Sequence, residues 1–282
     1  MKIKRLLIII VTILVIGIFL YYENNSIKVT NIDFASKAVP KTFNGYKIIQ
    51  ISDLHSKLFG INQKNLVSKI KKEKPDIIVI TGDLVDSKHY NEESSLKLAQ
   101  EIKNISPIYF VTGNHEKWSG KFPRLEGKLK ENGVQVLRNT SAKLRKTGEN
   151  ILLMGIDDPE FSYTSENSSD SKIVEEEIKK ALNKEDGPSF KILLSHRPEQ
   201  FPIYAKNKID LTFSGHAHGG QIRLPIIGGL IAPNQGIFPK YTSGIYYKDS
   251  SAMIVSRGLG NSIIPQRIFN RPEIVVTTLR SK

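Results

Sequence analysis

Five apolar runs, at 46–52, 76–81, 107–112, 190–195 and 210–214, each stop at a short polar motif. The motifs are Asp53-Leu54-His55, Gly82-Asp83, Gly113-Asn114-His115-Glu116, a lone His196, and Gly215-His216-Ala217-His218, and they hold five of the six histidines, leaving out only His89. Runs of this length, rich in β-branched residues and separated by helical patterns, read as buried strands of an α/β domain. Open α/β sheets bind ligands at the carboxyl ends of their strands, where every one of these motifs falls. The intervening helices are predicted at 62–72, behind an Asn62 cap and with Leu66, Val67 and Ile70 inward, at 91–105, and at 172–183. Beyond Gly219 the runs shorten, and 251–255 and 273–279 read as a second set of strands.

The start of the chain is different in kind. Residues 6–22 form a charge-free run of seventeen, preceded by Lys2, Lys4 and Arg5 and followed by Glu23. As a helix the run reaches about 25 Å, short but sufficient to cross a bilayer with Tyr21 and Tyr22 at the interface. No small-residue cleavage site follows, so an uncleaved anchor is expected at 1–24, then a linker and lead-in strand at 25–45 and a catalytic domain at 46–282. The basic residues before the run place the N-terminus in the cytoplasm and the domain outside, in a single-pass cell-membrane protein.

Charge and cysteine content narrow the chemistry. The chain carries 41 basic against 28 acidic residues, and the part after the anchor keeps 38 against 27, which favours anionic partners such as phosphate esters or anionic lipid. With no cysteine, thiolate–zinc sites and cysteine nucleophiles are excluded, and any metal must be held by His, Asp, Glu or Asn. Such ligands suit Zn, Mn or Fe. On a strand, alternate residues share a face, so Asp53 pairs with His55 and His216 with His218. A glycine before Asp83, Asn114 and His216 permits a sharp turn or close backbone approach. Two ions about 3.5–4 Å apart need a shared anionic ligand, and Asp83 is the natural bridge.

In this order the five motifs resemble the calcineurin-like metallophosphoesterase superfamily, from about Lys47 to the C-terminus. The resemblance implies a four-layer αββα sandwich of two mixed β-sheets flanked by helices. It also implies two divalent ions, one on Asp53, His55 and His218, the other on Asn114, His196 and His216, with Asp83 bridging. His115 would lie beside the substrate phosphate together with Asn114, stabilising the transition state or protonating the leaving oxygen while a metal-bound hydroxide attacks phosphorus. The segments 219–221, 255–260 and 270–273 resemble membrane-associated bacterial members, some of them phosphodiesterases and others UDP-2,3-diacylglucosamine diphosphatases. The expected substrate is therefore a lipid-linked or cell-envelope phosphodiester or diphosphate. The alternatives are a nuclease, a diacylglucosamine diphosphatase-like enzyme on the cytoplasmic side, and last a non-enzymatic metal-stabilised scaffold. Nucleic acid is not expected, since aromatics do not interleave with the basic runs, and no obligate protein partner is predicted.

Other residues carry smaller expectations. Glu116 either orients His115 or is an exposed acid. Asp86 reads as a turn or helix-capping residue rather than a ligand, the pair Asp157-Asp158 as a structural turn, and Glu175–Glu177 as a solvated helix face. Arg257 is expected at a substrate phosphate, and Arg271 either there or tying loops together. Lys69, Lys71, Lys72 and Lys74 complement a helix dipole or touch anionic lipid. The apolar loop 224–231 is taken first as core, with an acyl-chain or membrane contact as the alternative.

Overall fold

A computed structural model describes residues 2–162, 169–182, 190–261 and 265–282. The first half runs α1 (Lys2–Asn25), β1 (Lys28–Ser36), β2 (Lys47–Ile51), α2 (Lys64–Glu73), β3 (Ile77–Thr81), α3 (Glu92–Ile102), β4 (Ile108–Val111), α4 (Asn114–Trp118), α5 (Phe122–Glu131) and β5 (Val134–Val136). The second runs β6 (Thr140–Lys146), β7 (Glu149–Gly155), α6 (Asp170–Ala181), β8 (Phe190–Leu194), α7 (Phe201–Lys206) and β9 (Leu211–Ser214). Four two-residue strands follow, β10 (Arg223–Leu224), β11 (Gly228–Gly229), β12 (Ile231–Ala232) and β13 (Gly236–Ile237), before β14 (Gly244–Lys248), β15 (Ser251–Val255) and β16 (Glu273–Ser281).

Two six-stranded mixed sheets result, in the orders β1-β16-β2-β3-β4-β5 and β14-β15-β9-β8-β7-β6. The expected second set of strands does not exist as a set. Ser251–Val255 joins the second sheet beside β9, while Glu273–Ser281 inserts into the first sheet, parallel to β1 and antiparallel to β2. Strands buried on both faces show no alternation from which a sheet partner could be read.

The apolar runs work because both faces of each sheet are covered. In β2 and β3, Ile48 and Val79 face the second sheet, packing with Leu153, Ile192 and Phe213, while Ile49 and Ile80 face Leu66 and Ile70 of α2, Leu98 of α3 and Leu125 of α5. On the far face of the second sheet, Leu152, Leu193 and Met253 meet Val174 and Ile178 of α6 and Phe201 and Tyr204 of α7. The architecture is therefore helix, sheet, sheet, helix, and the parallel strands of both sheets aim their carboxyl ends the same way.

Helix boundaries deviate for identifiable reasons. The helix expected from Asn62 starts at Lys64, because Asn62 and Gln63 take left-handed φ values in a preceding 3-10 turn. Asn91 does cap α3, accepting the Glu93 N–H at 3.0 Å. The helix expected over 172–183 is Asp170–Ala181, and residue 183 lies outside the described residues. Glu177 is not part of a solvated face: it is buried on α6 and accepts the Ser162 hydroxyl at 2.6 Å, and burial pushes its carboxyl up to about 7. The basic cluster Lys69–Lys74 sits where α2 leads into β3, at the opposite end of the sheet from the histidine motifs.

α1 is the one helix among the described residues long and apolar enough to cross a membrane, and none of its apolar window is buried against the domain. Only its last turns touch the rest of the chain. Glu23, expected to be a simple flanking charge, is buried there and accepts the Asn270 N–H at 3.0 Å.

Candidate metal centre

The candidate ligand side chains stand just past the strand ends, on loops and, for Asn114, at the first position of α4, not within strands. Asp53, His55, His216 and His218 all take positive φ, between 46° and 63°, immediately after β2 and β9. The expected pairs do meet, but through a left-handed backbone turn that doubles each residue back, not through strand alternation. Non-glycine residues held in this region are uncommon and gather at functional sites.

The loops cross tightly. Gly82 has φ 90°, and a Cβ there would stand 2.7 Å from the Gly113 nitrogen and from His196 Nδ1. A Cβ on Gly113 would clash with Asp83 Oδ1. Gly113→Ala is therefore expected to displace the Asp83 carboxylate and cost at least one bound metal per chain, measurable by metal analysis of the purified protein.

Two clusters form around one atom. In the first, His55 Nε2 and His218 Nε2 are 3.2 Å apart, with Asp53 Oδ1 at 3.4 Å from His218 Nε2 and Asp83 Oδ2 at 3.7 Å from His55 Nε2. In the second, His216 Nδ1 and His196 Nε2 are 3.1 Å apart, and the same Asp83 Oδ2 lies 3.2 Å from His196 Nε2. The other oxygen, Asp83 Oδ1, accepts the His115 N–H at 2.8 Å, which fixes the carboxylate so that Oδ2 serves both clusters. Asn114 Oδ1 is buried with no hydrogen-bond partner among the described residues. Ring nitrogens about 2.0–2.1 Å from a shared zinc-like ion stand a little over 3 Å apart, so the donor set fits divalent cations. The Asp53, His55, Asp83 and His218 atoms lie within 4.8 Å of one another, as do those of Asp83, His196 and His216.

Electrostatics follow from burial and from this crowding. Burial by itself would raise the Asp83 carboxyl, but His196, His55 and His115 hold it well below the usual carboxylate range. Asp53 is raised, by burial first and by the charge of Asp83. His196 is pushed up to about 10, since Asp83 and Asp53 outweigh its burial. Burial holds His216 and His218 well below the ordinary imidazole value, reinforced by neighbouring positive groups, chiefly Arg197 for His216 and His55 for His218. That direction favours the neutral form of both rings, the form whose lone pair can bind a cation.

The surrounding groups were less visible in the sequence. Glu116 is neither exposed nor an orienter of His115. It is buried and accepts four backbone N–H bonds, from Asp83 at 2.8 Å, Leu84 at 2.8 Å, Val85 at 3.2 Å and Gly113 at 2.7 Å, so one carboxylate shapes two ligand loops. Burial and the nearby Asp83 push it up to about 7. Asp86 is the expected turn residue, accepting the Lys88 and His89 N–H groups, and its other oxygen also lies 3.5 Å from His55 Nδ1. His196 Nδ1 lies 2.7 Å from the Thr81 carbonyl, which fixes its ring. Asp158 caps the turn at 159–161 and binds the buried Arg197 through two bonds of 2.6 and 2.8 Å, so Asp157-Asp158 is structural as expected.

A third support lies behind Asp53. The Leu259 and Gly260 N–H groups donate to the Asp53 carbonyl, and buried Arg267 donates to the carbonyls of Arg257, Gly260 and Asn270. Asn270 Nδ2 in turn donates to the carbonyl of His218 at 2.7 Å. Arg257 stands with its Nε 3.6 Å from Glu273 and does not line the cavity over the ligands. Arg271 ties loops together, donating to Ser26 and stacking 4.7 Å over Tyr22.

Over the clusters opens a cavity of about 330 Å³, whose walls include Asp83, Asn114, His115, His216 and His218 with Trp118, Lys88, His89, Pro233 and Asn234. The His115 ring lies 4.5 Å from that of His55 and 5.2 Å from that of Trp118. Its Nδ1 accepts the Ser87 N–H at 3.0 Å, so the neutral ring carries its proton on Nε2.

A four-layer sandwich with two carboxylate-linked histidine clusters at the strand ends defines a metal-dependent phosphoesterase. The chain belongs to the calcineurin-like phosphoesterases, whose family description matches residues 46–220. YkuE of Bacillus subtilis (strain 168), an uncharacterized metallophosphoesterase, is 31% identical over 271 residues, covering 93% of this chain and 88% of its own length. A Danio rerio transmembrane protein with metallophosphoesterase domain is 30% identical over 272 residues, covering 90% of this chain but 57% of that longer protein. Among solved structures, TT1561 of Thermus thermophilus is a distant likeness, at 12% identity and a TM-score of 0.48, over 76% of this chain and 90% of that one.

Proposed function

We propose that this chain is a membrane-anchored phosphoesterase working with two divalent ions, Mn, Zn or Fe, on a lipid-linked or cell-envelope phosphodiester or diphosphate. The observation that carries the reading is the single oxygen, Asp83 Oδ2, shared by two histidine clusters. Asp53, His55 and His218 hold one ion and Asn114, His196 and His216 the other. Residues 1–24 are the anchor, 25–45 the linker and lead-in strand, and 46–282 the catalytic domain. The uncovered apolar surface of α1 supports the anchor, as does a relative named a transmembrane protein. Lys2, Lys4 and Arg5 before it favour an extracytoplasmic domain.

When bound, a metal pair acidifies water and offsets charge developing on the phosphoryl oxygens. The chain's own residues do the rest. Asn114 and His115 face the substrate from one wall of the cavity. The His115 Nε2 proton, fixed there by the Ser87 N–H bond to Nδ1, is available to a phosphoryl or leaving oxygen. Trp118 and Pro233 give the cavity apolar wall surface beside the ester.

The test is hydrolysis by the purified full-length chain of a panel of aryl and lipid phosphodiesters, phosphomonoesters, lipid diphosphates and oligonucleotides, with metal analysis alongside. Treatment with a chelator is expected to remove activity against an aryl phosphodiester, and Mn or Zn to restore it. Activity unchanged in the metal-depleted chain contradicts the reading. His115→Gln is expected to lower turnover about 10²–10³-fold on an alkyl phosphodiester, and less on a nitrophenyl ester whose leaving group needs no proton, with metal content unchanged. Equal losses on both esters would remove the proton from the role of His115.

A further inference from the structure

The 222–238 loop is not core. Ile226 is fully exposed, Ile237 and Phe238 are 72% and 64% exposed, and Ile227 and Ile231 also face outward. Its frame is polar and specific: two minimal ladders, β10 with β11 and β12 with β13, and an Arg223 guanidinium donating to the Gly219 carbonyl at 2.8 Å. Ile226 holds φ 72°, a conformation that glycine or asparagine adopts at less cost, so its side chain is not there to make the turn. A hydrogen-bonded loop that displays isoleucine and phenylalanine to water marks a contact with something apolar.

The position of the loop identifies that partner. Ile222 bridges to Ile268, and the neighbouring Phe269, itself exposed, meets Phe19 of α1 with ring centroids 5.6 Å apart. Gln266 donates to the Leu20 carbonyl at 3.1 Å. The apolar loop is thus continuous with the end of the uncovered apolar helix. Its other end reaches the metal centre, where Pro233 and Asn234 line the cavity and Asn234 Oδ1 lies 3.5 Å from His216 Nε2.

We propose that loop 222–238, with Phe269, is a second membrane contact, sinking its exposed isoleucines and phenylalanines into the bilayer that holds α1. The metal centre is then held against the membrane surface, with only Pro233 and Asn234 of the loop lining its cavity and the inserted side chains outside it. An amphiphile can keep its chains in the bilayer while its phosphate enters beside Asn234. The inference rests on reading α1 as the anchor, and it deepens the proposed function by making the substrate a lipid taken from the membrane plane.

The absence of native cysteine makes the test direct. Ile226→Cys, Phe238→Cys and Lys72→Cys are each made in the full-length chain, spin-labelled, and reconstituted in nanodiscs of phosphatidylglycerol and phosphatidylethanolamine. Labels at 226 and 238 are expected to be relaxed by oxygen and shielded from an aqueous nickel chelate, and the label at 72 the reverse. Equal nickel access at 226 and 72 overturns the proposal, as does spin–spin broadening at 226, which would place a second copy on the loop.

A function readout uses the combined variant Ile226→Asn, Ile227→Asn, Ile237→Asn and Phe238→Asn. It is expected to keep wild-type turnover of a soluble nitrophenyl phosphodiester and to lose 10-fold or more on a vesicle-borne diacylglycerol nitrophenyl phosphodiester. An undiminished rate on vesicles overturns the proposal. Labels in lipid without hydrolysis of any ester would support the contact and defeat the phosphoesterase reading. Labels in water with aryl hydrolysis intact would do the opposite.

Discussion

Asp83→Asn is expected to lower hydrolysis of an aryl phosphodiester by three orders of magnitude or more, about 4 kcal/mol or more in the barrier, while the secondary structure is retained. The geometry dictates the size of the effect. Asparagine can keep the Oδ1 position that accepts the His115 N–H. Its amide group then takes the place of Oδ2, turning N–H donors toward His55 Nε2 and His196 Nε2, which lie 3.7 and 3.2 Å from that oxygen. A neutral donor cannot ligate a cation, and the negative charge between the two clusters is lost. Both sites suffer from one substitution, whereas His216→Ala is confined to one cluster. Circular dichroism, metal content and kcat/KM on the same samples separate loss of the centre from loss of the fold.

Glu116→Ala is expected to be the most destabilising change near the site. Removing the carboxylate leaves four buried N–H groups of two loops without an acceptor. Each unsatisfied donor costs about 1–3 kcal/mol, partly recovered where water enters the space left, so a net loss of roughly 3–5 kcal/mol is expected. That corresponds to a fall in Tm of about 5–10 °C for a chain of this size, read by differential scanning calorimetry. Metal binding should weaken as well, because Asp83 and Asn114 sit on the released loops. Glu116→Gln keeps one acceptor oxygen and should fall between the two. A Tm within about 2 °C of wild type for the alanine variant would mean that the loops 82–85 and 113–116 hold their shape without it.

The candidate metal centre was legible in the sequence because metal binding would need particular residue types, and these stand at the ends of long apolar runs. Asp53, His55, Asp83, Asn114, His196, His216 and His218 all reach the strand ends anticipated for them. The backbone behind them was not legible. Strand alternation brought Asp53 beside His55 for the wrong reason, since left-handed turns at φ 50° and 46° do it instead. Glu116, Arg267 and Asn270 left no local signal either. Each is a buried polar group whose hydrogen bonds run to backbone atoms, in part far along the chain, so no spacing or periodicity announces it.

Sheet membership and exposure were hidden for a related reason. A strand buried on both faces, such as β15 or the central part of β16, carries no alternation that selects its neighbour. An apolar loop such as 224–231 reads alike whether it is core or surface, and only its place beside Phe269 and α1 distinguishes them.

The proposed sharing of two ions by Asp83 Oδ2 is tested most directly by electron paramagnetic resonance of the manganese-loaded full-length chain. The expected result is two Mn per chain with the spectrum of an exchange-coupled pair, and isolated Mn or none in Asp83→Asn. One Mn per wild-type chain, or two with no coupling, would contradict it.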